Sequence, residues 1–471
     1  MQTVALDDPA VLAPAVPTVV ERDGVWAPAR RRLTLGLVMT ITLVAFEALA
    51  ISTVMPVVAD DLGGLGLYGW VFSGFFLGNL LGIVLAGQAA DRRGTAFPFL
   101  VGLILFTAGL CIGGLAPTMG VLVAARVLQG MGAGAIPAVA YASVGRCYPA
   151  AMRPRVFAVF STAWVVPGLI GPASSSAIES ALSWRAVFLA LLPFVVLAGV
   201  ITIPALTGAP EVPDGDGEEP PADRRGRAVV LTLSVAAVLV AISGPPVWIA
   251  VPLLVVAVPI AVRTFVSLVP PGTLRFAPGV PAAVMVRGLL TFSFFGADAY
   301  VSLTFQDVRD QPTWVAGVAL TGATLGWTAA AWVQQRWIHV AGPRRVVTTG
   351  FTCLAIGIGG MVLALGDLPI PLCIAAWTVA GFGIGMAYSP LSVTVLGLAD
   401  PGREGEASSS IQLADTLGVA LGTGLGGAFV ALGEAQGWDT SAALAIAFPL
   451  TCATAIAGAV MSKRLPTTLP G

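Results

Sequence analysis

From Leu33 to Val58 the sequence reads LTLGLVMTITLVAFEALAISTVMPVV, an apolar run long enough to cross a bilayer, which takes about 20 residues at ~1.5 Å rise each. Such a run constrains the fold more than any motif, because hydrocarbon tolerates only backbone whose hydrogen bonds close internally. It carries one ionisable residue, Glu47, where hydrocarbon should lie on both sides. An unpaired charge at that depth costs at least about 2.5 kcal/mol. Glu47 therefore faces a cavity or a partner, which the rest of the chain has to supply.

Hydrophobic runs bounded by glycine, proline and charge give fourteen candidate spans, at residues 33–58, 68–90, 98–116, 119–141, 156–178, 185–206, 228–243, 246–266, 281–305, 314–337, 346–365, 370–396, 407–432 and 441–461. The fold class expected is an all-α polytopic membrane protein with 14 transmembrane helices. Composition agrees: 10% of residues are charged, against about 25% in a soluble domain, and the mean hydropathy is +0.90.

Composition also excludes functions. The only lysine, Lys463, follows Met-Ser with no glycine loop before it, so the phosphate-cradling loop that needs a lysine is missing. The single histidine, His339, and the scattered Cys111, Cys147, Cys353, Cys373 and Cys452 show no metal-ligand spacing. Nothing at recognisable spacing forms a nucleophile or paired-carboxylate set. The expectation is a protein that is not an enzyme, with no cofactor, no metal and no nucleic-acid partner.

Residues 1–32 contain Asp7 and Asp8 and end in Arg30-Arg31-Arg32, which suits a cytoplasmic tail and not a signal peptide. The hydrophilic stretch 207–227 holds Glu211, Asp214, Asp216, Glu218, Glu219 and Asp223 and separates a first bundle, 33–206, from an inserted helix pair, 228–268. A second bundle at 269–464 and a short tail, 465–471, complete the chain. With the N-terminus inside, one side receives Arg30–Arg32, Arg92, Arg93, Arg146, Arg263, Arg287, Arg344, Arg345, Lys463 and Arg464 among others, and the outer side only Arg185 and Arg309. That asymmetry is the positive-inside pattern, and it puts both termini on the cytoplasmic side of the inner membrane.

An internal repeat lies beneath this. Gly130-Met-Gly132-Ala-Gly134 is echoed by Gly381-Phe-Gly383-Ile-Gly385, an offset of 251 residues. The same offset carries Glu47 to Asp298, Thr40 to Thr291, Ala48 to Ala299 and Thr53 to Thr304. Two segments in one register point to two homologous six-helix bundles with the helix pair inserted between them, a parallel repeat of the kind transporters use. At the repeat position of Arg126 stands Trp377.

Motifs sharpen the reading. The loop after the second span reads Gly87-Gln-Ala-Ala-Asp91-Arg92-Arg93-Gly94 and resembles the G-x-x-x-D-R-x-G signature of the major facilitator superfamily, matching at Gly87, Asp91, Arg92 and Gly94. The usual basic pair after it is Thr95-Ala96 here. The resemblance implies a cytoplasmic gate, with an ordinary charged turn as the alternative. In the fourth span, Arg126-Val-Leu-Gln129-Gly130 resembles the family's R-x-x-Q-G segment, whose arginine is linked to proton coupling. Arg126 cannot deprotonate, so inside hydrocarbon it needs an anion, and Glu47 is the candidate. The fifth span carries Gly168-Leu-Ile-Gly171-Pro172, similar to the glycine-proline motif of the family's exporters, although its closing glycine pair is Ser175-Ser176 here.

Asp415 lies ~16 Å into the thirteenth span, either a coupling acid or a structural acid beside Gln412. With Glu47, Arg126 and Asp298 it makes the expected proton-coupling and substrate-charge set. Gln129, Phe295, Tyr300, Trp327, Trp377, Tyr388 and Gln412 are the expected cavity lining. The resemblance, from Leu33 to about Met461, is to the fourteen-helix drug:proton antiporter branch. It implies a monomeric exporter in the cytoplasmic membrane that expels amphipathic or hydrophobic small molecules, cationic ones among them, in exchange for protons. Two rivals stand beside it: an exporter or flippase of lipids or lipid-linked metabolites, and a membrane sensor or assembly factor that transports nothing.

Overall fold

The computed structural model describes residues 24–28, 30–148, 152, 155–156, 159–160, 163, 165–208, 224–399 and 404–468. Most of the expected N-terminal tail and of the 207–227 stretch, and parts of the fifth span, lie outside the described residues. The regular structure described is helical throughout: α1 Arg31–Leu62, α2 Tyr68–Arg93, α3 Ala96–Gly114, α4 Met119–Cys147, α5 Val165–Ala181, α6 Trp184–Leu189, α7 Leu192–Thr207, α8 Arg224–Ile242, α9 Val247–Val266, α10 Val280–Asp298, α11 Thr313–Ala364, α12 Ile370–Leu398, α13 Glu404–Gln436 and α14 Thr440–Met461. Among the described residues, eleven helices are long and apolar enough to cross a membrane.

Three helices depart from the runs read in the sequence, each for an identifiable reason. The expected sixth span is two helices, α6 and α7, interrupted at Ala190–Leu191. There Pro193, at the second position of α7, has no N–H to extend the preceding turn. The expected tenth and eleventh spans run together as α11, broken at Gly342, whose φ of 75° and ψ of 162° are not helical. Glycine takes that conformation at no steric cost, and Pro343 starts the next turn. The ninth span ends early, at Asp298. A short turn, Val301–Leu303, and a π-helical turn, Thr304–Val308, follow. The break sits where the Tyr68 hydroxyl, from another helix, donates 3.2 Å to the Ala299 carbonyl, an intrusion into the helical ladder that produces kinks.

Packing explains the repeat. On α4, Gly130 lies against the Phe75 backbone of α2 and Gly134 against that of Asn79, so a side chain at either would strike the α2 carbonyls. On α12, Gly381 and Gly385 meet the backbones of Ala323 and Trp327 on α11 in the same way. Without a hydrophobic driving force between helices, small residues that let backbones approach are what hold a membrane bundle together. The glycine echo is thus one helix-packing device used twice.

Helices α1 to α7 pack chiefly on one another, and so do α10 to α14. Two seams join the groups: α2 against α13, and α5 against the first part of α11. Helices α8 and α9 pair together, and α8 lies over the α2–α13 seam. There Leu77 and Leu80 of α2, Leu231, Val235 and Leu239 of α8, and Leu417 and Ala420 of α13 make one buried cluster. The Trp70 indole donates 3.3 Å to the Ser243 hydroxyl at its edge. Helix α9 lies outside, with Val247 and Trp248 each 75% exposed.

Candidate functional site

In the first group of helices, Glu47 of α1 meets Arg126 of α4. The Arg126 guanidinium forms an ion pair with Glu47 Oε1, donates 2.8 Å to Gln129 Oε1 and gives its Nε–H to the Val71 carbonyl at 3.2 Å. Its face lies 4.2 Å from the centre of the Phe75 ring. Both charged side chains are buried, 1% and 2% exposed. Helical spacing brings this about, since Arg126 and Gln129 are three apart and so share a face of α4. Glu47 Oε2 and Gln129 Nε2 are buried without a hydrogen-bond partner among the described residues. The constellation therefore has a fixed cation, an anion tied to it by one oxygen, and a second carboxylate oxygen able to take a proton.

The second group holds a buried cation that the sequence reading placed at the membrane surface. Arg287 of α10 is 4% exposed. Its Nε donates to Asp415 Oδ1 at 2.6 Å, and its Nη1 to the Tyr388 carbonyl at 2.5 Å and the Ser392 hydroxyl at 3.4 Å. The guanidinium stacks on the Tyr388 ring, and the Tyr388 hydroxyl donates to Asp415 Oδ2 at 3.2 Å. Asp415 keeps 23% of its side chain exposed. It is thus an ion-paired acid, and its partner is Arg287 rather than Gln412. The signal was present: Val286-Arg287-Gly288-Leu289 lies inside the apolar run 281–305, where a charge needs a counter-charge.

Asp298 is half-buried at the α10 break. The Trp377 indole N–H lies near the Asp298 carboxyl without closing a full hydrogen bond. The repeat equivalents of Glu47 and Arg126 therefore face each other too, with an uncharged N–H in place of the guanidinium. Trp377 is fully buried and stacked on Phe294 at 5.3 Å. Phe294, Phe295, Trp327 and Tyr388 continue as an aromatic chain with centroids 5.2–6.4 Å apart. Phe295, Trp327, Tyr388 and Gln412 are half-buried, as cavity lining requires. Gln129, Tyr300 and Trp377 are instead fully buried. Gln129 and Tyr300 are hydrogen-bonding residues and Trp377 a packing one, and none is a lining in this structure, because each is enclosed by neighbouring helices.

At the end of the molecule where α1 begins, Gly94 closes α2 with a φ of 73°, and the Arg146 guanidinium donates 2.9 Å to the Ala90 carbonyl. Arg92 is exposed there and Gly87 has no close neighbour. The side chain of Asp91 lies outside the described residues. The glycine-proline segment sits between the groups: Gly168 against Thr324 of α11, Gly171 against Phe46 and Leu49 of α1, and Pro172 beside Gly317.

The opposite end is sealed by contacts no motif announced. Tyr68 and Tyr300 pack at 5.6 Å, the Tyr300 hydroxyl donates 2.5 Å to the Thr423 carbonyl, and Gly69 of α2 touches Gly427 of α13. The Gly66 N–H donates to the Glu434 carboxylate, and Gln306 Nε2 to the Thr53 carbonyl at 3.1 Å. Beside them Asp61 accepts from the Trp184 indole at 2.9 Å and pairs with Arg185 at 2.7 Å.

A family model, the Major Facilitator Superfamily, matches residues 37–423. A probable multidrug-efflux transporter of Mycobacterium tuberculosis is 27% identical over 449 residues, 90% of this chain and 92% of the relative. The drug efflux pump JefA of the same organism is 27% identical over 427 residues, 85% of this chain and 81% of the pump. Among solved structures, an auto-inhibited POT family peptide transporter superposes with a TM-score of 0.68 at 14% identity, covering 93% of this chain and 98% of that one. A D-xylose–proton symporter does so with a TM-score of 0.67 at 15% identity and the same coverages. These two likenesses concern the fold alone.

Proposed function

Because the chain belongs to the Major Facilitator Superfamily, we propose that this transporter is a secondary exporter that expels amphipathic or hydrophobic compounds in exchange for protons. The names of its relatives support the substrate class, as multidrug-efflux and drug-efflux proteins. Proton exchange rests on one observation: the buried Glu47–Arg126–Gln129 constellation, with its spare carboxylate oxygen, inside the first helix group. The two groups act as the six-helix bundles 33–206 and 269–464, which rock against each other to expose the site to either side in turn.

The topology belongs to the same proposal. Divide α11 at Gly342, count α6 with α7, and add the shorter helices Val165–Ala181 and Gly226–Ile242. The spans are then fourteen. The arginine-rich end is the cytoplasmic one, with both termini, and the Tyr68–Tyr300 seal is the outer one. The membrane is the cell membrane, and the unit a monomer.

Everted vesicles containing this protein and given an inward-acid gradient test the reading. A cationic dye should accumulate, dye addition should release protons, and Glu47→Gln should abolish the coupled movement. Gradient-driven accumulation undiminished in Glu47→Gln would remove Glu47 from proton coupling. A wild-type protein that moves neither dye nor protons would remove the exporter reading itself.

A further inference from the structure

The two seams between the helix groups are unlike. Helix α8 fills the α2–α13 seam. Its Leu239 occupies the place where a side chain on Gly424 would stand, and Leu231, Val235 and Leu239 together cover the seam from outside. The α5–α11 seam has no such cover among the described residues. Its outer half holds a groove of about 470 Å³, within the ~300–1,000 Å³ range of small-molecule sites. The α5 wall is small (Ala173, Ser176, Ala177 and Ser180), and Gly317 and Thr321 form the base on α11. Thr321 Oγ1 is buried there without a hydrogen-bond partner among the described residues.

We propose that this groove is a lateral exit, which takes the apolar tail of a departing amphiphile from the central site into the outer leaflet. The proposal rests on the exporter reading and adds a route and a preference for tailed substrates. Three observations select this occupant. The groove is continuous with the seam that alternating access has to open, the glycine-proline segment forms its inner border at Pro172, and the other seam is stoppered by α8. The unpaired Thr321 hydroxyl offers one hydrogen bond to a polar group near the head of the tail, and the wall of alanine and serine leaves width for a chain.

The test uses Ala173→Trp and Ala177→Trp, which fill the groove from positions exposed on α5, and Val255→Trp on the exposed face of α9 as the control. Two fluorescent pyridinium dyes, one with a butyl and one with a dodecyl chain, are followed in everted vesicles. The groove variants should slow the dodecyl dye about fivefold or more and leave the butyl dye at the wild-type rate, with Val255→Trp matching wild type for both. The butyl dye reports that the variants are folded and coupled. Equal slowing of both dyes, no slowing of the dodecyl dye, or equal slowing by Val255→Trp overturns the exit. So does movement of a labelled phospholipid that Ala177→Trp blocks while both dyes run normally, which assigns the groove to lipid. Wild-type protein that moves neither dye fails the exporter reading instead.

Discussion

The seal at the Tyr68–Tyr300 end makes a prediction about populations. In the structure Gly69 of α2 lies against the Cα of Gly427 on α13, and a Cβ at position 69 would also meet the Tyr300 hydroxyl at 2.7 Å. Gly69→Leu therefore cannot be accommodated while this end is closed. Overpacking of this kind costs about 1–3 kcal/mol, and only the closed state bears it, because parting α2 from α13 leaves the new side chain free. A difference of about 1–3 kcal/mol moves the equilibrium between two states roughly 5- to 150-fold. The assay is a disulfide across the seal. A Cβ at Gly66 lies 3.5 Å from that of Ala431, within the ~3.5–4.5 Å of disulfide geometry, so Gly66→Cys with Ala431→Cys should cross-link when the end is closed. The five native cysteines are free and are replaced first. Adding Gly69→Leu should lower the cross-linking rate by up to that factor, the full factor being reached where the closed state is the minor one, while the protein stays in the membrane at wild-type level. A rate unchanged by Gly69→Leu would refute the reasoning, since it would mean that the close approach does not define the closed state.

Two further substitutions test single contacts. Arg287→Met strands Asp415 and should destabilise the detergent-solubilised protein toward the low end of the ~3–5 kcal/mol expected for a broken buried pair, because Asp415 is 23% exposed. Arg287→Met with Asp415→Leu should recover most of the loss in a thermal melt, and a double variant no more stable than the single one counts against the pairing. Gly342→Ala places a side chain at a φ of 75°, against the Thr467 carbonyl of the C-terminal segment. It should cost about 1–2 kcal/mol and expose that segment to protease, and an unchanged melt and cleavage pattern would show that the kink does not depend on glycine.

Helices were legible in the sequence because hydrocarbon leaves a chain few alternatives. The runs around α1 to α4, α9, α12 and α14 come within a few residues of the helices observed. The internal breaks were less legible. Gly342-Pro343 was readable as punctuation, whereas the break after Asp298 depends on the Tyr68 hydroxyl arriving from a distant helix. The pairing of Glu47 with Arg126 was anticipated because a guanidinium fixed at mid-membrane needs an anion and the same half offered one. Arg287 was missed because a position about two turns from a span's end can equally be read as snorkelling. Its true partner is 128 residues away on α13. The Tyr68–Tyr300 seal had no signal at all, since neither residue matches a motif and the two meet from helices far apart in the chain.

The repeat then acquires a physical meaning that its register alone did not give. Glu47 and Asp298 occupy equivalent positions, and each faces the equivalent of the other's partner, Arg126 or Trp377. A guanidinium keeps its charge under all conditions, so a negative Glu47 is compensated where it stands. The indole N–H brings a dipole and no charge. A negative Asp298 would stand nearly alone among Phe294, Phe295 and Trp377, where an uncompensated charge costs at least about 2.5 kcal/mol. Asp298 also ends α10 two residues before Tyr300, whose hydroxyl donates to the Thr423 carbonyl of α13. A change of charge at Asp298 would therefore be made near the Tyr68–Tyr300 joint, and a change at Glu47 beside the Arg126 guanidinium. The two acids are therefore unequal: Glu47 is held against a fixed cation inside the first bundle, and Asp298 stands without a counter-charge near the Tyr300 joint.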